Sequence, residues 1–350
     1  MVSCKRIRIF SSLVLLTLCC LLPGAFAAQA FVQQDIFTTA PFASCHASTI
    51  VELRDGSLLA AWFGGSGEGR PDVAIWGSRH TAAGWSAPFE LVREPQIATW
   101  NPVLFHAADG GLWLYYKFGP VAAGWTGARM VSWDEGLSWS KPEHLAAGLL
   151  GPIRAKPYVA PDGTIVAGSS TESYHAWAVW IERSVGSRVD GEWQRLGPFT
   201  VAGAHAGVAV TTGLIQPTVL SLGGRHLRYY ARSTENIGRI CIADSYDEGR
   251  SWSAPRPIEV PNPNSGIDAV ELRDGRIVLM YNDTTSGRTP LNLAVSRDGE
   301  HFTNFLTLES GPGEYSYPAL IAARDGSLLA TYTWQRTRIR FVRVPLERVP

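Results

Sequence analysis

One local pattern recurs along this chain and decides what it can fold into. Residues 315–334 read YSYPALIAARDGSLLATYTW: a β-prone run, an Asp325-Gly326 turn, and a second β-prone run. Asp-Gly suits a tight hairpin because both residues tolerate positive φ. Near copies stand at Val51–Trp62 (VELRDGSLLAAW) and Val270–Tyr281 (VELRDGRIVLMY). Phe105–Tyr116 turns at Asp109-Gly110, and Tyr158–Ser169 at Asp162-Gly163. The turn residues Asp55, Asp109, Asp162, Asp274 and Asp325 lie 54, 53, 112 and 51 residues apart. The long step spans two units, and Leu220–Tyr230, turning at Gly223-Gly224, fills it. Six copies at a period of roughly 50 residues indicate an all-β chain, a six-bladed β-propeller of four-stranded antiparallel blades. Unrelated hairpins in a β-sandwich would not repeat so closely or so evenly.

The ends of the chain fit that plan. Lys5, Arg6 and Arg8, then the mostly apolar Ile9–Leu22, then Ala25-Phe26-Ala27, read as a secretory signal over residues 1–27. Export to a periplasm or the exterior is expected, with no integral membrane segment after cleavage. Residues 28–350 form one propeller domain, expected to act as a monomer. Phe31–Phe37 is a strand candidate that pairs with the last one, Ile339–Val344, and closes the ring. Cys4, Cys19 and Cys20 leave with the signal. Cys45 and Cys241 fall in opposite blades and are expected as two buried thiols. Equal numbers of basic and acidic residues, 31 each, argue against a nucleic-acid or anionic-membrane partner. No cysteine or histidine cluster has zinc spacing, and neither metal nor cofactor is expected.

A second motif lies between hairpins. Ser132–Trp139 (SWDEGLSW) and Ser245–Trp252 (SYDEGRSW) fit S-x-D-x-G-x-x-W; Ser296–Phe302 and Ser78–Trp85 are worn versions. The pattern is that of a turn, with aspartate onto loop amides, glycine for positive φ and tryptophan beneath. One carboxylate per box is no calcium ligand series. Strand direction puts the boxes on the face of the Asp-Gly turns. The hairpin open ends lie on the other face. There the inner strands begin near His46, Asn101, Arg154 with Lys156, Gln216, Asp268, and Tyr315 with Tyr317. The second strands finish near Phe63, Lys117, Glu172, Arg232, Asn282 with Asp283, and Trp334. A ring of polar groups around one channel mouth points to a polar ligand.

The boxes, the six blades and Tyr315-Ser316 resemble the sialidase (neuraminidase) superfamily, the Asp-box glycoside hydrolases, over the whole mature chain. The resemblance implies three arginines on a substrate carboxylate, whose planar fork matches it bidentately. Arg232, in Tyr230-Ala231-Arg232-Ser233, and Arg288, in Ser286–Leu291, match two of them. His46 stands where the first should open blade one, and Arg154 or Lys156 would have to replace that charge. A tyrosine nucleophile is implied, and Tyr315 matches it, with Tyr317 as the alternative if the register slips. The glutamate base is replaced by Gln216, leaving Asp268 and Glu172 as nearest substitutes by position. The general acid is expected on the loop Phe63–Asp72, at Glu68 or Asp72, with Arg70 pairing with either.

The expectation is a retaining exoglycosidase that releases a terminal acidic sugar from glycans. Tyr315 would attack, Glu68 or Asp72 would protonate the leaving oxygen, and Arg232 and Arg288 would hold the carboxylate. Two other readings stay open. One is a uronate lyase or hydrolase on the same propeller, in which His46 and Tyr315 serve an elimination. The other is a glycan-binding propeller without catalysis.

Overall fold

The repeated turn is built the same way in five of the six hairpins. The aspartate side chain accepts the N–H two residues on: Ser57 to Asp55, Gly111 to Asp109, Thr164 to Asp162, Arg276 to Asp274 and Ser327 to Asp325, at 2.8–3.1 Å. Only the glycine has positive φ, from +84° to +90° in the five copies. In blade one, Gly56 N–H donates to Leu53 C=O at 3.0 Å and Leu53 N–H to Ser57 C=O at 2.8 Å. This is a type I turn followed by a glycine bulge, not the two-residue mirror-image turn expected from Asp-Gly. The aspartate is needed for its carboxylate rather than for positive φ.

The computed structural model describes residues 1–2, 31–204 and 210–350. The signal segment expected at 1–27 therefore lies almost wholly outside the described residues. Blade one contains Ser44–Glu52, Leu58–Gly65 and Ala74–Thr81, edged by Gly84–Trp85 and Phe89–Val92. Blade two contains Thr99–His106, Leu112–Phe118, Thr126–Ser132 and Glu143–His144. Blade three is Tyr158–Val159, Ile165–Ser173, Ala176–Ser184 and Trp193–Phe199. Blade four is Thr212–Ser221, Leu227–Ser233, Arg239–Ser245 and Arg256–Pro261, tied to blade three by a two-residue parallel pairing. Blade five runs through Asp268–Glu271, Ile277–Tyr281, Leu291–Ser296 and Thr303–Glu309. Blade six is Tyr315–Ala322, Leu328–Trp334 and Arg338–Val344, completed by Val32–Asp35 antiparallel to Arg340–Arg343. The N-terminal strand thus closes the ring on the last blade, as its sequence position suggested.

The packing settles the blade number. Six apolar clusters each join two neighbouring blades: one–two, two–three, three–four, four–five, five–six and six–one. Second strands such as Leu58–Gly65 are buried on both faces because blades cover them from both sides. Each fully buried aliphatic side chain contributes about 1.5–3 kcal/mol, so the ring rests on six small cores. Cys45 and Cys241 are buried thiols in blades one and four. In the boxes, Gly136 and Gly249 N–H donate to Ser132 and Ser245 Oγ at 2.6 and 2.8 Å. Asp134 and Asp247 accept from Ser138 and Ser251 N–H at 2.8 and 2.9 Å. The box is therefore a structural turn. It sits beside the Asp-Gly turns, since Ser132 and Ser245 pair with Leu112 and Leu227 at the turn ends of the second strands. Among the described residues no helix is long and apolar enough to cross a membrane.

Candidate functional site

Four inner strands carry the same irregularity near the open face. The ladder slips between His46 and Thr49, Trp100 and Val103, Ile215 and Thr218, and Ser316 and Ala319. Ala47, Asn101, Gln216 and Tyr317 sit in these bulges at φ of 53°, 36°, 54° and 53°. Such backbone costs roughly 1–3 kcal/mol per residue and clusters where a side chain must be re-aimed. Here it stands at the open ends of blades one, two, four and six, and brings Gln216 and Tyr317 into contact.

Tyr317 is the centre of the arrangement. Its phenol oxygen accepts Arg232 Nη1–H at 2.8 Å and meets Gln216 Nε2 at 3.5 Å. The guanidinium groups of Arg154, Arg232 and Arg288 lie 5.7, 5.7 and 5.5 Å from its ring centroid. The His46 ring is 4.1 Å away, centroid to centroid. His46 is 1% exposed; Nδ1 meets Thr333 Oγ1 at 2.9 Å and buried Nε2 has no partner. Burial, and then the charges of Arg336, Arg288, Arg232 and Arg154, hold it well below the usual imidazole range, so it is neutral at pH 7. Arg232 also reaches Gln216 Oε1 at 3.2 Å and Asn264 Oδ1 at 2.8 Å, and it contacts no carboxylate among the described residues. Asn101 occupies the matching bulge of blade two and makes no side-chain hydrogen bond within the described protein.

Three carboxyls, Glu172, Glu68 and Glu314, stand among these arginines. Glu172 ends the second strand of blade three opposite Trp177, and its buried Oε1 has no partner. Burial raises its pKa, Arg232 opposes the rise, and Glu68 adds to it. Glu68 lies on the loop joining the second and third strands of blade one and pairs with Arg336 Nη1. Arg336 Nε donates to Glu314 at 2.9 Å, and Glu314 also accepts from Arg288 at 2.6 Å and Ser316 at 2.9 Å. Burial alone would push the Glu314 carboxyl up, but Arg336, Arg288 and Ser316 bring it below the ordinary value. Neither Arg336 nor Glu314 is singled out by the sequence pattern.

The structure corrects several assignments. The Tyr315 phenol meets Pro312 C=O at 3.3 Å and packs against Trp334 in the core between blades five and six, away from the arginines. The register alternative, Tyr317, holds the central place. Asp72 is a loop cap: Ser66 hydroxyl and N–H each donate to it at 2.8 Å and hold it below the usual carboxylate range. Arg70 pairs with neither Glu68 nor Asp72. Asp268 is 1% exposed and its oxygens accept from Lys156 Nζ, Thr218 Oγ1, its neighbour Ala269 N–H and Leu320 N–H at 2.7–3.2 Å. It ties together blades three to six and has no capacity left to act as a base. Lys156 is held there with it and does not reach the pocket. Arg154 does reach Tyr317, while its Nη2 donates to the Ile267 and Pro318 carbonyls. Asp268→Ala leaves Lys156 without its carboxylate and is expected to lower the unfolding free energy by about 3–5 kcal/mol, read by denaturant titration.

Lys117, ending the second strand of blade two, is fully buried with Nζ against Pro152 C=O, and burial pushes its pKa down to about 7. Between pH 7 and the unfolded value near 10.4, the unfolded chain holds a proton that the folded one has released, so stability rises with pH. Lys117→Met is expected to flatten that rise; equal slopes in paired pH–stability curves would contradict it.

A cleft of about 870 Å³ lies on the opposite face, lined by Glu52, Asp55, His80, Arg324, Asp325 and Arg343. These charges pair with one another or with turn carbonyls: Arg324 with Glu52 and Arg54 C=O, Arg343 with Asp325. Beside Tyr317, by contrast, His46 Nε2 and Arg154 Nε and Nη1 are buried without a partner among the described residues.

Comparison with known proteins agrees with this geometry. The sequence profile of the BNR repeat-like domain matches residues 56–329. A Dyadobacter fermentans protein of unknown function superposes with a TM-score of 0.72 at 15% identity, over 89% of this chain and 98% of that one. The NanB sialidase of Streptococcus pneumoniae gives 0.70 at 12% identity, over 92% and 71%. An α-L-arabinanase of Penicillium chrysogenum gives 0.66 at 17%, over 92% and 100%. No protein of curated description matches the sequence. At these identities the solved structures establish the fold alone, a β-propeller.

Proposed function

Because this chain belongs to the BNR repeat-like domain family, we propose that it is an exported glycoside hydrolase that removes a terminal carboxylated sugar from a glycan. The observation that carries the reading is the convergence of Arg154, Arg232 and Arg288 on one phenol, with Arg232 in contact with no acid among the described residues. A guanidinium so placed suits a planar anion from the ligand. Glu172 is the proton donor: burial keeps its carboxyl protonated to higher pH than a solvated one, as departure of an alcohol requires. Tyr317 takes the nucleophile role first given to Tyr315. No carboxylate hydrogen-bonds to its oxygen, so Glu68 or a water at the mouth must accept its proton. The anomer formed first, read by proton NMR, decides between routes. Retention supports attack by Tyr317; inversion makes Glu68 the base for a water.

The test is a panel of glycosides ending in uronic acids, sialic acids and neutral sugars. Release of acidic sugars alone supports the proposal; equal release of neutral ones overturns it. A second reading rests on His46, whose neutral ring lies against Tyr317 with Nε2 unpartnered. That pair suits base and acid in an elimination on a uronate, with the arginines acidifying the proton beside the carboxylate. Products with double-bond absorbance in the ultraviolet would select it.

A further inference from the structure

His46 stands where an arginine was expected, yet the backbone brings another arginine to the same place. Cys45 N–H donates to Arg336 C=O at 2.8 Å, which fastens the exit of the blade-six hairpin to the first residues of blade one. Gln335 and Arg336 turn there at φ of 49° and 55°, a conformation that L-residues adopt only under constraint. The Arg336 head lies at the open face between Glu314 and Glu68. The two carboxylates differ. Glu314 is built in, bound to Arg288, Arg336 and Ser316. Among the described residues Glu68 is held by Arg336 alone, its side chain 37% exposed, on a loop with glycine on either side of it at positions 67 and 69. An ion pair this solvated is weak and readily exchanged.

We propose that Arg336 is a carboxylate-binding arginine of the site and that Glu68 holds its place until an acidic sugar displaces it. The proposal rests on the acidic-sugar reading above. The ligand carboxylate takes Arg336 Nη1, and Glu68 swings free beside Glu172. A neutral sugar cannot make the exchange, so the same contact selects for charge and releases Glu68. Glu68 is then a competitor of the ligand as well as a participant in the reaction.

Isothermal titration with D-glucuronate and N-acetylneuraminate as probes, and D-glucose as control, tests this. Glu68→Gln removes the competitor and is expected to bind an acid roughly tenfold tighter than wild type. Arg336→Met is expected to bind it roughly tenfold weaker, with partial rescue in Arg336→Lys. In the double variant Glu68→Gln with Arg336→Met, affinity should match Arg336→Met alone. Equal or weaker binding by Glu68→Gln overturns the exchange, and so does a gain that persists without Arg336, since that gain would be bulk charge. If neither acid binds wild type or Glu68→Gln while both keep their melting temperature, the acidic-sugar reading itself fails. Binding of acids without an effect of Arg336 removes only the exchange.

Discussion

Tyr317→Phe is expected to lower turnover on the order of 10³-fold or more, as removal of a nucleophile does in other hydrolases. Tyr315→Phe should leave it nearly unchanged. The two residues share a strand and a chemistry, so the contrast isolates position. Tyr317→Phe keeps the ring among the guanidinium groups and deletes one oxygen, leaving Arg232 Nη1 with Gln216 Oε1 alone at 3.2 Å. Because the ring keeps its packing against His46 and the guanidinium groups, the melting temperature should move far less than the rate. Tyr315→Phe loses the bond to Pro312 C=O at 3.3 Å and a long one from Gln335 Nε2 at 3.5 Å. Initial rates on whichever acidic glycoside the panel identifies give the answer. A large loss in Tyr315→Phe with a normal Tyr317→Phe would return the site to the opposite side of the strand.

Glu172→Gln is expected to cost about 10²–10⁴-fold on substrates with poor leaving groups and far less on activated aryl glycosides, which depart without a proton. The pH profile carries a sharper signature. A general acid works while protonated, so wild-type activity falls on the alkaline side as Glu172 ionises, and burial moves that limb above the ordinary glutamate range. Glu172→Gln should lack the limb. Glu68 raises the Glu172 pKa and Arg232 lowers it. Removing the Glu68 charge should therefore shift whatever limb remains to lower pH, and removing Arg232 should shift it to higher pH. Opposite shifts, or none, would take Glu172 out of the proton transfer.

How much of this was readable from the sequence depended on whether the signal was repeated. The Asp-Gly turns and the boxes recur with fixed spacing because each blade solves the same packing problem, and they gave the blade number, the closing strand and the face of the site. His46, Gln216 and Arg232 followed from counting along the hairpins, and Arg288 from the family resemblance. Tyr317 was lost to a bulge: the extra residue shifts which side chain faces the axis, and resemblance favoured the Tyr-Ser pair one step earlier. A usable signal was present. Proline follows the bulged residue at Asn101-Pro102, Gln216-Pro217 and Tyr317-Pro318. Aligning copies on that proline selects Tyr317 over Tyr315. Asp268 and Lys156 were misread because sequence cannot tell a polar group that faces a ligand from one that joins blades beneath it. Arg336 and Glu314 belong to no repeat; what makes them part of the site is the approach of blade six to blade one, a tertiary fact.

The crystal structure of the protein soaked with a carboxylated monosaccharide such as D-glucuronate addresses the assignment most directly. The sugar carboxylate should lie within hydrogen-bond distance of Arg232 and Arg288, with the ring over Tyr317 and Glu172 near the anomeric oxygen. A sugar seated instead in the cleft beside Asp55 and Arg324, with the guanidinium groups around Tyr317 left bare, would contradict it.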